Sequence, residues 1–238
     1  MMRNSIEFKV WGRYALFTDP LTRVGGEKCS YHIPTYEALK GVVKSIYWKP
    51  TIIWVVDEVR VMKRIRTEAK GMKPMKYGGG TNDLSFYTYL KDVEYQVRAH
   101  FEWNPYRERL KEDQNEGKHF NIAKRMVERG GRQDIFLGTR ECQSYVEPCT
   151  FGEGTSEYDG YSNLDFGLAF HGFDYPDETG KNEMRTRFWR PQMVDGRIKF
   201  PRPEECEVNK FVRAMTAKDF EMGKNMVGVE VTANEMDL

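Results

Sequence analysis

A chain of 238 residues, 39% hydrophobic and 13% aromatic, can bury a sizeable core in one large domain or two small ones. A net charge of +1 excludes a simple basic DNA coat, and a mean hydropathy of −0.70 with 31% charged residues implies a strongly solvated surface. No apolar run approaches a membrane span and the start, Met1-Met2-Arg3-Asn4-Ser5, has no signal-peptide layout, so a cytoplasmic protein without a membrane partner is expected.

Residues 5–14 alternate as a strand does, with Ile6, Phe8, Val10 and Gly12 on one side. Thr35 suits the N-cap of a helix over 36–47, whose apolar stripe is Leu39, Val42, Val43 and Ile46, and Pro50 closes it. Residues 51–65 read as a long β-branched strand. Residues 66–80, with basic side chains, Pro74 and Gly78-Gly79-Gly80, read as a long mobile connection. Residues 81–103 are strand-like again. The polar stretch 104–117 leads into a helix that runs to about Arg129, faces Phe120, Ala123, Met126 and Val127 inward, and ends at Gly130-Gly131. Residues 134–146 form a further strand.

The order β-α-β-β-α-β predicts an α+β protein with a ferredoxin-like domain over 1–148. Residues 149–163, rich in Gly, Ser, Thr and Glu, mark a boundary. A smaller, mainly β domain over 149–238 follows, with strand-like runs near 164–173, 185–194 and 226–232 and a short helix near 207–215.

Charge is unevenly spread. Arg60, Lys63, Arg64, Arg66, Lys70, Lys73 and Lys76 face only Glu68 within 60–76, and six more cations between Arg185 and Arg202 face only Asp195. Two cationic surfaces suited to phosphates are one reading; solvated faces are the other. Cys29, Cys142, Cys149 and Cys206 lack CxxC spacing, so reduced thiols are expected rather than structural zinc. HExxH, P-loop and GxGxxG patterns are missing, so no metal and no cofactor is predicted. His32, His100 and His171 have no ligand spacing and read as core or surface histidines. The third strand lacks the basic-Gly-aromatic-Gly signature of RRM base stacking.

Several strings together carry a family resemblance. The first runs from Ile6-Glu7-Phe8-Lys9-Val10-Trp11-Gly12 through Leu16-Phe17-Thr18-Asp19-Pro20, Gly25-Gly26-Glu27-Lys28 and Tyr31-His32-Ile33-Pro34-Thr35-Tyr36 to Tyr47-Trp48-Lys49-Pro50. Gly117-Lys118-His119-Phe120 and Phe136-Leu137-Gly138-Thr139-Arg140-Glu141-Cys142 support it. This pattern closely resembles the CRISPR-associated endoribonuclease of subtype I-C systems, a member of the RAMP superfamily, and is most specific before residue 150. The resemblance implies an enzyme that matures precursor CRISPR RNA. It would cut each repeat near the base of a hairpin, then hold the 5′ handle of the mature CRISPR RNA among the other subunits of the surveillance complex.

The resemblance carries that family's Tyr, Lys and His triad onto Tyr47, Lys118 and His119. Topology agrees. If the first strand runs up, the first helix ends at the bottom, where the second helix begins, and both pack on one face of the sheet. Tyr47 then approaches Lys118 and His119. The helix N-terminus and Lys118 favour a phosphate, and His119 can exchange a proton near neutral pH. Lys118 is assigned to phosphorane charge and His119 to proton transfer, as acid or base. Tyr47 either orients the 2′-hydroxyl or shares proton transfer; the sequence leaves both open. The expected products are a 2′,3′-cyclic phosphate and a 5′-hydroxyl. Lys70, Lys73, Lys76, Gly138 and Arg140 are candidate RNA contacts. The competing readings are a non-catalytic subunit that holds the handle and a general nucleic-acid-binding module; neither needs a complete triad.

Overall fold

The computed structural model describes residues 4–74 and 84–236. Its first part contains β1 (Ser5–Ala15), β2 (Lys28–Cys29), α1 (Tyr36–Ile46), β3 (Ile52–Val61), β4 (Thr67–Met72), β5 (Ser85–Trp103), α2 (Glu116–Glu128), β6 (Ile135–Phe136) and β7 (Gln143–Pro148). The second part adds β8 (Leu164–Asp165), β9 (Ala169–Asp174), α3 (Pro176–Thr179), β10 (Glu183–Trp189), β11 (Gln192–Met193), β12 (Arg197–Lys199), β13 (Val208–Ala214) and α4 (Val229–Met236). The protein is a mixed α/β structure, mostly sheet with few helices. Among the described residues, no helix is long and apolar enough to cross a membrane.

The main sheet has the order β12-β3-β5-β1-β7-β6 with antiparallel neighbours, while β2 and β4 pair with the N-terminal half of β5. Period-2 alternation gives the sheet one apolar face, with Ile6, Phe8 and Val10 on β1, Trp54 and Val56 on β3, and Tyr95, Val97, Ala99 and Phe101 on β5. Against it, α1 buries Leu39, Val42, Val43 and Ile46, and α2 buries Ile122, Ala123, Met126 and Val127. Each buried Val, Leu, Ile, Phe or Met among these stabilises the fold by roughly 1.5–3 kcal/mol. Thr35 caps α1, its hydroxyl accepting from the Ala38 N–H at 3.2 Å.

The same core continues into the second part through Tyr158, Trp189, Met193, Ile198 and Val229. There β9, β10 and β13 form a separate three-stranded antiparallel sheet, and β12 joins the edge of the main sheet against β3.

Four local expectations are corrected. The connection expected over 66–80 contains β4, paired with β5 from Thr67–Leu90 to Met72–Ser85; Gly78-Gly79-Gly80 lie outside the described residues. The short helix expected near 207–215 is β13, held by pairing with β10. The strand-like run at 226–232 is instead the start of α4, where the Thr232 N–H bonds the Gly228 carbonyl at 3.1 Å. The strand expected over 134–146 is two short strands, β6 and β7, around a tight turn.

Candidate active site

Two helix ends place the site. α1 stops at Ile46 because Tyr47 turns extended (φ −158°, ψ 134°), although its N–H still bonds the Val43 carbonyl at 3.0 Å. The Tyr47 carbonyl accepts from the Trp54 indole at 2.7 Å, which fixes the turn. Asn115 caps α2, its side chain accepting from the Lys118 N–H at 3.1 Å. His119 therefore lies in the first turn of α2 and faces the core.

The two side chains meet. The Tyr47 hydroxyl lies 2.7 Å from His119 Nδ1, across 72 residues of sequence. His119 Nε2 lies 2.8 Å from the Asp113 carbonyl oxygen. A carbonyl can only accept, so Nε2 carries the proton; Nδ1 is then bare and accepts from the tyrosine hydroxyl. Trp103 stands edge-on to the imidazole at 5.5 Å, and both Tyr47 and His119 are fully buried.

Burial sets the electrostatics. It depresses the His119 pKa, against the Asp113 carbonyl bond and carboxylate, which favour the charged ring, and with Lys49, which opposes it. Burial also lifts the Tyr47 hydroxyl well above the ordinary tyrosine range; Asp113 adds to this and Arg132 opposes it. The pair is thus neutral near pH 7, with the proton on tyrosine. The Asp113 carboxylate is buried, 3.7 Å from His119 Nε2, and accepts from the Thr51 hydroxyl at 2.9 Å and from the Val229 N–H. Lys118 points the other way, with 37% of its side chain exposed, and its ammonium pairs with Glu230 of α4.

Comparison with known proteins places the chain as a whole. Residues 5–201 match the family model described as CRISPR-associated protein (Cas_Cas5). The chain belongs to the Cas5d family of CRISPR-associated proteins. A relative from Mannheimia succiniciproducens, named CRISPR pre-crRNA endoribonuclease Cas5d, is 29% identical over 230 residues, covering 84% of this chain and 96% of the relative. One of the same name from Thermus thermophilus is 30% identical over 196 residues, covering 78% and 80%. A solved CRISPR-associated protein superposes with a TM-score of 0.74 at 36% identity, over 87% of this chain and 96% of its own. The functionally uncharacterized protein SMU1763c from Streptococcus mutans gives 0.73 at 38%, with the same coverage.

The remaining predicted residues sit on other elements. Lys70 is on β4, its ammonium 3.2 Å from the centre of the Tyr14 ring. Lys73 is exposed just beyond β4, and Lys76 lies outside the described residues. Gly138 and Arg140 form the turn between β6 and β7, with Arg140 exposed over Phe136. Gly138 has φ +97°, and a Cβ there would stand 2.0 Å from the Leu16 carbonyl oxygen, so internal packing alone demands glycine. The two basic runs are in part internal: Arg60 is buried on Asp159 at 2.8 Å, and Arg187 is buried on Asp174.

Four residues around the pair were missed in the sequence: Asp113, Lys49, Arg132 and Glu230. Asp113 stands two residues before the N-cap of α2, the one sequence cue it offers. Glu230 and Lys49 act only through contacts that the fold creates.

Proposed function

We propose that the chain is a precursor CRISPR RNA endoribonuclease whose catalytic residues are Tyr47, Lys118 and His119. The observation that carries this reading is the 2.7 Å hydrogen bond between Tyr47 and His119, with Asp113 fixing the tautomer. The names of the relatives at 29% and 30% identity supply the substrate class. The RNA 2′-hydroxyl gives its proton to the Tyr47 oxygen as the Tyr47 proton passes to His119 Nδ1. The 2′-oxygen attacks the adjacent phosphorus, favoured by its tethering there. Lys118 and the positive dipole end of α2 meet the charge of the phosphorane. The imidazolium, steadied by the Asp113 carbonyl and carboxylate, returns its proton through Tyr47 to the departing 5′-oxygen. One O–P bond forms and one breaks, leaving a 2′,3′-cyclic phosphate and a 5′-hydroxyl, with no net change in protons. No step in this route requires a metal.

In the same reading, residues 1–148 form a ferredoxin-like unit, supported by the order β3-β5-β1-β7 with α1 and α2 on one face. Residues 149–238 are a smaller, mainly β unit that reaches back through β12 and α4. Lys70, Lys73, Gly138 and Arg140 contribute to RNA binding, and the protein keeps the 5′ handle within the surveillance complex. The burial of Tyr47 and His119 favours the rival reading, a subunit that holds RNA without cutting it.

The test is single-turnover cleavage of the host repeat hairpin in excess EDTA. Cutting in EDTA, a cyclic phosphate on the upstream fragment by mass spectrometry, and a block by one 2′-deoxyribose before the scissile phosphate are expected. Normal cutting of the deoxy substrate, or a 5′-phosphate on the downstream product, rejects the mechanism. No cutting of any repeat RNA selects the holding subunit.

A further inference from the structure

One stretch of chain is anchored on the residues that surround the buried pair. Phe220 stands edge-on to Trp48 at 5.8 Å. The Val227 carbonyl and the Thr232 hydroxyl both accept from the Lys49 ammonium, the latter at 2.8 Å. The Val229 N–H donates to Asp113, and the Glu230 carboxylate sits on Lys118. These anchors are Lys118, Asp113, and Trp48 and Lys49 just after Tyr47; the Arg107 guanidinium also lies 5.3 Å from the Phe220 ring centre. The rest of the stretch is packed unevenly: Met226 is buried, but Met222, Val227 and Val231 are exposed, and a cleft of about 500 Å³ is lined by Glu112, Asp113 and residues 222–231.

We propose that residues 220–236 are a strap that closes the site in the RNA-free protein, with Glu230 occupying the position on Lys118 that the scissile phosphate takes. The inference rests on the catalytic reading above and names how that site is regulated. Charge carries it. A carboxylate and a phosphodiester each bring one negative charge, and a single ammonium in one place satisfies one of them. The Glu230 side chain is 59% exposed, so its ion pair is weak and open to exchange. The RNA brings many phosphates and is anchored elsewhere, so its local concentration at Lys118 is high once bound.

Opening also prepares the chemistry. When Val229 leaves, Asp113 loses one donor and keeps Thr51. Its carboxylate, already 3.7 Å from His119 Nε2, is then freer to steady the imidazolium. Removal of the strap uncovers Tyr47 and His119 for the ribose. The trigger is therefore the substrate itself, and adventitious RNA that cannot seat a phosphate on Lys118 leaves the site shut.

The experiment uses the full chain. Hydrogen exchange of the amides at 230–236 is followed with and without a repeat RNA made uncleavable by one 2′-deoxyribose. Single-turnover cleavage is measured for Glu230→Gln and Val229→Pro. Proline is tolerated at the first position of a helix, so the second variant removes the donor to Asp113 and keeps α4. Exchange at 230–236 should speed up roughly tenfold or more on RNA binding. Both variants should raise the cleavage rate at sub-saturating RNA by roughly 3- to 10-fold, the scale of an exposed ion pair or one hydrogen bond. If exchange is unchanged or slowed by RNA, and both variants cut at the wild-type rate, the strap is merely structural. That result with an inactive His119→Ala leaves the catalytic reading standing; a fully active His119→Ala overturns both.

Discussion

His119 and His171 are both fully buried, and both have their basicity lowered by burial, His171 to about 3. Each bonds a backbone carbonyl through Nε2, Asp113 at 2.8 Å and Pro201 at 3.2 Å, so both are held in the same neutral tautomer. Each packs on an aromatic ring: Trp103 stands edge-on to one, and Tyr36 stacks on the other at 4.2 Å. They part at Nδ1. His119 faces the Tyr47 hydroxyl, which can both donate and accept and so pass a proton on; His171 faces the Arg187 guanidinium at 3.4 Å, which can only donate. Both rings are walled in by three aromatic neighbours, Tyr47, Phe101 and Trp103 around His119 and Tyr36, Trp189 and Phe200 around His171. The residue that holds His119, Asp113, also takes the Val229 N–H at the start of α4. Burial and a shifted pKa therefore do not mark a site by themselves. What distinguishes the two is a partner able to exchange a proton.

The largest way to break this contrast is catalytic. His119→Ala should slow single-turnover cleavage by about 10²–10⁴-fold, the range for a general acid–base group, while hairpin affinity stays within a few-fold. His171→Gln, where the amide oxygen can accept from Arg187 and the amide nitrogen can donate to Pro201, should cut at near the wild-type rate. Equal losses in the two variants would erase the distinction.

Stability should show the reverse order. Arg187 is buried on Asp174 beside His171, and removal of one partner of such a pair leaves an uncompensated charge. Arg187→Met should destabilise the protein by about 3–5 kcal/mol in urea unfolding, with cleavage per folded molecule retained. A cost below that of an ordinary surface substitution would mean that Asp174 finds another partner.

How much of this could be read in the sequence depends on which forces act. The meeting of Tyr47 and His119 was legible because the order β-α-β-β-α-β fixes where helices begin and end, and Thr35 announced its cap. The surroundings were not legible. Asp113 gains its role from Thr51 and Val229, which only the fold brings to it. In β13, Val208, Phe211, Val212 and Met215 fall at helical spacing, yet pairing with β10 overrides that pattern. Around α4, Val227, Val229 and Val231 alternate as in a strand, while Val229 and Thr232, three apart, both turn inward and are buried. β4 escaped notice because an exposed edge strand of Thr67, Glu68, Ala69 and Lys70 has little apolar content.

A smaller effect sharpens the role of the group at Nδ1. Tyr47→Phe keeps the ring and its packing but leaves the buried His119 Nδ1 without a donor, at a cost of about 1–3 kcal/mol. If Tyr47 relays the proton, cleavage should also slow by roughly tenfold or more. If it only fills space, the rate of the folded variant should match wild type.

The smallest effect is a slope. Burial lowers the pKa of both histidines in the folded state, so the unfolded chain takes up protons first as pH falls. Their contribution is complete above about pH 6.5, the unfolded value, and shrinks as pH drops below it. For His171 the loss continues down to about pH 3, because burial, Arg187 and Lys40 all disfavour its charge while only the Pro201 carbonyl favours it. His100 works in the opposite sense. Its pKa is raised, chiefly by its hydrogen bond to Asp57, so its stabilisation is present at low pH and fades as pH rises through its folded value. That contribution is common to wild type and variant and cancels in the comparison. His171→Gln removes one titrating group and keeps both hydrogen bonds, so below pH 6.5 its stability should fall less steeply than wild type, by a difference that approaches about 1.4 kcal/mol per pH unit near pH 4.5. Urea unfolding at pH 8.0, 6.5, 5.5 and 4.5 measures the difference. Parallel curves would mean that His171 is already protonated in the folded state, contrary to a ring held between a guanidinium and a carbonyl.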